Sequence, residues 1–300
     1  MSTRLHRSFS EKVFTAFNVA WLTLASLICL YPFYFVLIYS LSDPLSAAKG
    51  IYFLPAGFTL QNYATIFQLP NLSTAALISV SRTVLGAFIT VFCCAFFGYL
   101  LTKEDLPGKK IIYRFTVVTM YLSAGLIPWY IVIRMYGLSN TFWLYVIPTA
   151  LSAFYIILFK TFIEQLPSAL EESARIDGAG YMTVFFKIIL PLSIPILATI
   201  TVFAAVGQWN SYFDNYIFVT NPKLQTLQYI LFTYLRRAEV VVRDADALAR
   251  EMAIRQIAAK PTPMSVRMTI TMVVTLPVLF IYPFAQRYFI KGILLGAIKG

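Results

Sequence analysis

The sequence predicts an all-α membrane protein with six membrane-spanning helices. Three observations carry that prediction. The 300 residues are 59% hydrophobic and only 12% charged, about half the charged fraction of an ordinary soluble domain. Apolar residues gather in runs near or above the roughly 18 to 20 residues that a bilayer-crossing helix needs. Lys and Arg cluster at alternate ends of those runs, as short cytosolic loops require.

The first run, Phe14 to Leu41, follows Arg4, His6, Arg7 and Lys12. Its apolar core is far longer than that of a signal peptide and lacks a small-residue cleavage site, so it reads as a retained span. The connection from Asp43 to Thr74 contains Pro44, Gly50, Pro55, Gly57 and Pro70, which favour turns and predict an ordered loop on the outer mouth. The second run is Leu77 to Leu101 and the third Ile111 to Ile133. Within the third, Gly125 and Pro128 weaken a helix: a notch for close helix packing is the simpler explanation and a hinge the sharper one. A short turn, Gly137 to Thr141, leads to the fourth run, Phe142 to Phe162; the fifth is Val184 to Val206 and the sixth Met268 to Phe289. The outer segment between the last two, 207–267, holds a stretch of good helix formers from Asp244 to Ile257, stopped by Pro261 and Pro263. The chain thus divides into a cytosolic segment 1–13, a membrane domain 14–290 and a cytosolic tail 291–300.

With the N-terminus inside, thirteen basic residues, from Arg4, Arg7 and Lys12 through Lys103, Lys109 and Lys110 to Arg287, Lys291 and Lys299, face the cytosol, against Lys49, Arg82 and Arg134 outside. Both termini are therefore expected inside. The net charge of +11 is spread over membrane flanks and shows no basic stripe or recognition helix, so lipid headgroups rather than nucleic acid account for it. Cys29, Cys93 and Cys94 lie within apolar runs and read as small hydrophobes. A lone histidine leaves no imidazole cluster for a metal.

Between the fourth and fifth runs, over about 164–191, comes Leu170-Glu171-Glu172-Ser173-Ala174-Arg175-Ile176-Asp177-Gly178-Ala179, then Phe185-Phe186-Lys187-Ile188-Ile189-Leu190-Pro191. Ser168 with Glu171 three residues on forms an S-x-x-E capping box. Gly178 suits a left-handed turn that ends the helix. A short helix, a glycine turn and a second helix entering the membrane follow from the residues alone. A bare Glu-x-Ala pattern fits any solvated loop; the whole order over some twenty residues, in that place, is specific. The chain resembles the inner-membrane permease subunits of carbohydrate-importing ABC transporters, the maltose-permease-like class. Gly207-Gln208-Trp209-Asn210, Tyr282-Pro283-Phe284 and the ending Lys291 to Gly300 resemble the same family, the ending its alginate and pectin oligosaccharide subgroup. Ser173 departs from the usual Ala.

The resemblance implies the type I ABC importer permease fold, with Glu171, Glu172, Ser173, Ala174, Asp177, Gly178, Ala179, Leu190 and Pro191 in a cytosolic coupling helix and its flank. It implies location in the bacterial inner membrane, a second permease subunit, two copies of an ABC ATPase, a solute-binding protein and an oligosaccharide cargo. It implies that the chain binds no cofactor, ATP and Mg being held by the ATPase. The residues agree that energy comes from a partner: no G-x-x-x-x-G-K-[ST] loop is present, and the acidic residues fall in loops or at span ends rather than as an intramembrane relay. An ion-driven sugar carrier and a non-transport scaffold are the rival classes. Trp209, Asn210, Tyr212 and Asp214 offer aromatic, amide and carboxylate groups for a sugar, although an interface aromatic belt explains Trp209 and Tyr212 equally well. Arg82 and Arg134 suit an acidic sugar, with snorkelling to headgroups the simpler role for each.

Overall fold

Helix-forming apolar runs separated by Gly, Pro and Asn dictate a helical chain, and the computed structural model, which describes residues 9–244, 262 and 264–280, is helical throughout. Among the described residues there is no β-strand, only an isolated antiparallel bridge between Ser42 and Phe58. The chain forms two compact units, one of residues 1–69 and 234–273, the other of 70–233 and 274–300.

In the first unit, α1 (Phe9–Ser40) contains the first apolar run. Its side chains are exposed through Tyr34 and buried from Ile38 onward, where they meet Ala47 and Ile51. Asp43 then starts α2 (Pro44–Ala48) by accepting the Ser46 N–H at 2.9 Å, the proline sitting in the first turn where its missing donor costs nothing. In α3 (Gln61–Phe67) the buried Asn62 amide donates to the carbonyls of Ser40 and Ser42 at 3.0 and 2.8 Å, tying the connection back to the end of α1.

The second unit is built on α4 (Leu72–Leu100). Of the described helices, α1 and α4 are each long and apolar enough to cross a membrane unaided. The third run is broken into α5 (Lys109–Tyr121) and α6 (Leu126–Met135), with Leu122 extended and Gly125 at φ +79°. A β-carbon on Gly125 would meet no atom within 4 Å, so backbone direction, not close packing, calls for glycine here, and the packing-notch explanation fails. Pro128 falls in the first turn of α6, where it starts a helix rather than kinking one. The fourth run also departs from a continuous span: Phe142–Tyr145 is a 3₁₀ turn, and α-helix begins only at α7 (Ala153–Ile163), beyond Pro148, which has no N–H to give.

The chain then forms α8 (Ala169–Ile176), α9 (Tyr181–Val184), a π-helical turn Phe185–Ile189, α10 (Leu190–Leu192) and α11 (Ile194–Asn210). The fifth run is bent by 81° at Ser193, and the bent pair counts as a third crossing if taken as one span. Pro191 and Pro195 flank the bend and deny it two ladder hydrogen bonds. Next come α12 (Phe213–Phe218), α13 (Leu227–Asp244) and α14 (Met264–Phe280). Residues 281–289 of the sixth run, the tail 291–300 and the helix expected over 244–257, apart from Asp244, lie outside the described residues.

The core of this unit joins Ala95 and Tyr99 of α4, Phe159 and Ile163 of α7, Val184, Phe185 and Ile189, and Ile200 of α11. Gly98 allows the approach of α4 to α7: a β-carbon there would lie 2.9 Å from the Ile156 carbonyl oxygen and 3.2 Å from the Phe159 ring. Backbone cannot move aside as a side chain can. Gly98→Ala should therefore destabilise the chain by about 1–3 kcal/mol, the usual cost of overpacking, seen as a lower thermal midpoint of the purified protein.

Candidate functional site

Two places gather the residues that the sequence singles out, both in the second unit. At the first, α8 ends in a Schellman closure: Gly178 at φ +84° donates to the Arg175 carbonyl at 3.0 Å, and Ala179 donates to Ala174 at 2.9 Å. Both orphan carbonyls of the last turn are thereby satisfied. The start of α8 differs from the capping box read in the sequence. Ser168 has helical dihedrals and makes no side-chain cap, and the Glu171 carboxylate is taken instead by Lys103, which is 8% exposed and donates to both its oxygens.

Lys103 also lies 3.9 Å from the centre of the Tyr99 ring, so a carboxylate and a π face share the solvation of one buried cation. Burial pushes the Lys103 pKa below that of a free lysine, with Glu171 acting in the opposite sense. A second clamp joins the connection between α4 and α5 to the end of α8 and the start of α9: the Tyr181 hydroxyl donates to Asp105 and accepts from Arg175 at 2.6 Å. The Tyr181 bond, and Arg175 3.5 Å away, hold the Asp105 carboxyl below its ordinary pKa. A depressed carboxylate pKa gives stability that is present above the unfolded value and lost as pH falls through the folded one, so this clamp holds at neutral pH. Ala174, Ala179 and Leu190 rest against the core beneath, while Pro191 is exposed.

Much of the rest of α8 and its closing turn is exposed. Glu172, Ser173, Asp177 and Gly178 are exposed, and Ile176 is 86% exposed; Glu172 and Asp177 meet no ion pair or side-chain hydrogen bond among the described residues. Beside α8 a cavity of about 410 Å³ is lined by Lys103, Glu104, Asp105, Glu171, Glu172 and Arg175 together with Leu166 and Leu170.

At the second place the Arg82 guanidinium is 1% exposed and grips Asp214 with two bonds, 2.6 and 3.2 Å. It also donates to Gln208 at 3.1 Å and the Ser211 carbonyl at 3.2 Å, with its centre 4.3 Å from the Tyr145 ring. Gln208 continues to Thr149 and the Tyr145 carbonyl, and Asn215 to the Tyr145 hydroxyl. Arg82 thus neither snorkels to headgroups nor stays open for a ligand. Its donors are taken up inside the protein. Trp209 is likewise internal, 9% exposed with its indole N–H on the Val274 carbonyl at 2.9 Å, which removes it from an interface belt. Asn210 is exposed and accepts from Gln228 at 3.2 Å; Tyr212 stacks on Phe232; Arg134 is exposed beside Tyr130. The structure does not bring Arg134 into the Arg82 network. Sequence reading missed Lys103, Asp105, Tyr181, Tyr145 and Gln208 as site residues; only the position of Lys103 at a span end marked it, and that pointed to a flanking charge.

No protein-family model matches the chain. It is 34% identical to the polygalacturonan/rhamnogalacturonan transport system permease protein YtcP of Bacillus subtilis (strain 168), over 97% of this chain and 99% of that protein. To protein LplC of the same organism it is 31% identical, over 99% and 98%. The chain belongs to the permeases of carbohydrate ABC importers. A solved structure agrees: a bacterial ABC transporter involved in the import of the acidic polysaccharide alginate has a chain that superposes with a TM-score of 0.83 at 26% identity, over 95% of this permease and 99% of that chain. The relative that names a transport system names a permease of it.

Two expectations test the geometry. Arg82→Met should cost the permease about 3–5 kcal/mol, since it leaves Asp214 as an uncompensated buried charge. Arg82→Met with Asp214→Leu should recover part of that loss, both read by thermal unfolding. Lys103→Met should release the start of α8, so that limited proteolysis near 165–180 is faster than in the parent protein, while Lys103→Arg stays protected.

Proposed function

We propose that this permease is one of two unlike six-span subunits that line the path of an ATP-driven importer of an acidic oligosaccharide, and that α8 is its contact with a cytosolic ATPase. The observation that carries the reading is the division of labour on α8. Glu171, Ala174, Arg175 and Ala179 tie it inward through three anchors, whereas Glu172, Ile176, Asp177 and Gly178 project outward from a helix closed by its own glycine turn. A rigid knob with an exposed apolar tip is what a separate soluble domain needs in order to push on the membrane helices. Two copies of that ATPase, which hold ATP and Mg, and a solute-binding protein complete the machine.

The six spans in this reading are α1, α4, the α5–α6 pair, the segment from Phe142 through α7, the bent α9–α11 pair, and the sixth apolar run, of which α14 holds the described part. Both termini are cytosolic, on the distribution of Lys and Arg. An acidic cargo is supported by the relatives named for polygalacturonan/rhamnogalacturonan and for the acidic polysaccharide alginate. Asn210 and Tyr212 are the groups that we assign to the path, with the exposed Arg134 suited in charge to a carboxylate; the Arg82–Asp214 pair and Trp209 form the frame that holds them.

The test uses Gly178, where an added β-carbon meets no atom within 4 Å. In the intact transporter, Gly178→Trp should abolish sugar uptake while membrane insertion is unchanged, because the bulk meets only a docked partner. Gly178→Asn, which tolerates a left-handed backbone, should keep most of the uptake and so separates bulk from strain. Normal uptake with Trp at 178 would overturn the docking assignment, and uptake that follows an ion gradient without any co-purifying ATPase would favour the secondary-carrier class.

A further inference from the structure

The fourth apolar run contains a stretch without helix. From Val146 to Ser152 the chain is irregular, between the 3₁₀ turn and α7, and it lies beside the middle of α4. Gly86 is the midpoint of α4, and Thr90 and Cys94, which touch the stretch, stand four and eight residues further on, about 6 and 12 Å along the axis. With α4 upright and centred in the bilayer, both levels fall within the roughly 15 Å half-thickness of the hydrocarbon layer.

At that depth every backbone N–H and C=O needs a partner. One side of the stretch has them. Gln208 and the Thr149 hydroxyl donate to the Tyr145 carbonyl at 3.1 and 3.2 Å, and Thr90 donates to the Thr149 carbonyl at 2.9 Å. The Cys94 sulfur accepts the Ser152 N–H at 3.3 Å and lies 3.7 Å from the Ala150 and Ser152 carbonyls. The other side has none: the N–H groups of Thr149 and Leu151 and the carbonyls of Pro148 and Leu151 have no hydrogen-bond partner among the described residues. The side chains of Ile147 and Leu151 are 52% and 57% exposed. Acyl chains offer such backbone groups nothing, so lipid does not cover this side. A neighbouring helix keeps its backbone bonds internal and has only side chains to give. Water and sugar hydroxyls donate and accept together, which is what two free donors beside two free acceptors require. We propose that residues 147–152 line the aqueous transport path, and that the free backbone groups of Pro148, Thr149 and Leu151 bind the hydroxyls of the passing sugar. This deepens the reading of the chain as a sugar permease and rests on it for the nature of the cargo.

The experiment uses the assembled transporter in membrane vesicles, with Cys29 and Cys93 changed to Ser and the buried Cys94 kept. Cysteine replaces Ile147, and separately Leu151, and ATP-driven uptake of oligogalacturonate and oligoalginate is measured first. Labelling by a charged, water-soluble methanethiosulfonate is then followed at rest and in the vanadate-trapped state, with and without whichever sugar is taken up. Labelling at both positions in at least one state, slowed by that sugar, is expected. No labelling at either position in both states, as when the second permease covers the stretch, would overturn the proposal, and so would labelling that the sugar leaves unchanged. A dry stretch in vesicles with ATP-driven uptake defeats this inference alone; labelling in vesicles without such uptake supports an aqueous lining and defeats the importer reading instead.

Discussion

The bidentate pair between Arg82 and Asp214 is the interaction on which the second unit depends. A guanidinium that is almost wholly withdrawn from water is costly to bury unless its donors find acceptors, and here α4 supplies the cation while α12, the Ser211 turn and Gln208 of α11 supply the acceptors. The need to satisfy one side chain fixes the meeting of three elements. Gly86 follows from it: a β-carbon there would stand 2.6 Å from the Gln208 amide nitrogen, so the helix is cut back to glycine to let Gln208 reach both Arg82 and Thr149. Tyr145 closes the set from the 3₁₀ turn, its ring over the guanidinium and its hydroxyl on the Leu224 carbonyl. Such a network favours one arrangement, because a shift of any member strands a buried polar group.

At the other end of α4 the same economy of charge recurs for another purpose. Lys103 and Asp105 lie two residues apart in the connection between α4 and α5 and hold the two flanks of α8, Glu171 near its start and Arg175 with Tyr181 around its end. A load applied to the exposed face of α8 therefore passes into α4 through ionic contacts and into the common core through Ala174 and Ala179. The π-helical turn and the bend at Ser193 separate α8 from the long axis of α11, whereas its ionic contacts lead directly to the end of α4. Ser193 itself is fully buried, with a hydroxyl that meets no partner among the described residues.

Much of this architecture was legible in the residues, for reasons that can be named. Long uncharged runs predicted α1 and α4, since length and composition alone decide whether a helix can cross. Gly178 predicted its own turn, because the left-handed backbone is open to few other residues. The third and fourth runs read as continuous and are not, because a window of apolar residues does not register that Gly125 turns the chain or that Pro148 withholds a donor. The candidate site was legible where its residues form a contiguous motif and illegible where it is assembled from afar: Lys103 and Glu171 are 68 residues apart, Arg82 and Asp214 132. Arg82 and Asp214 were singled out, but as separate groups awaiting a ligand, and nothing in either neighbourhood shows that they satisfy one another.

The contact at Gly98 also has a bearing on how such a chain enters a membrane. Helix α7 has 11 residues, a rise of about 16 Å, half of what the hydrocarbon layer demands, so as a helix it does not reach from face to face. The surface that receives it is the glycine notch on α4, where the backbone of Ile156 and Lys160 comes within 2.9 to 3.4 Å of the missing β-carbon. Helix α4 precedes α7 in the chain and is synthesised first, so the notch is laid down before the helix that fills it.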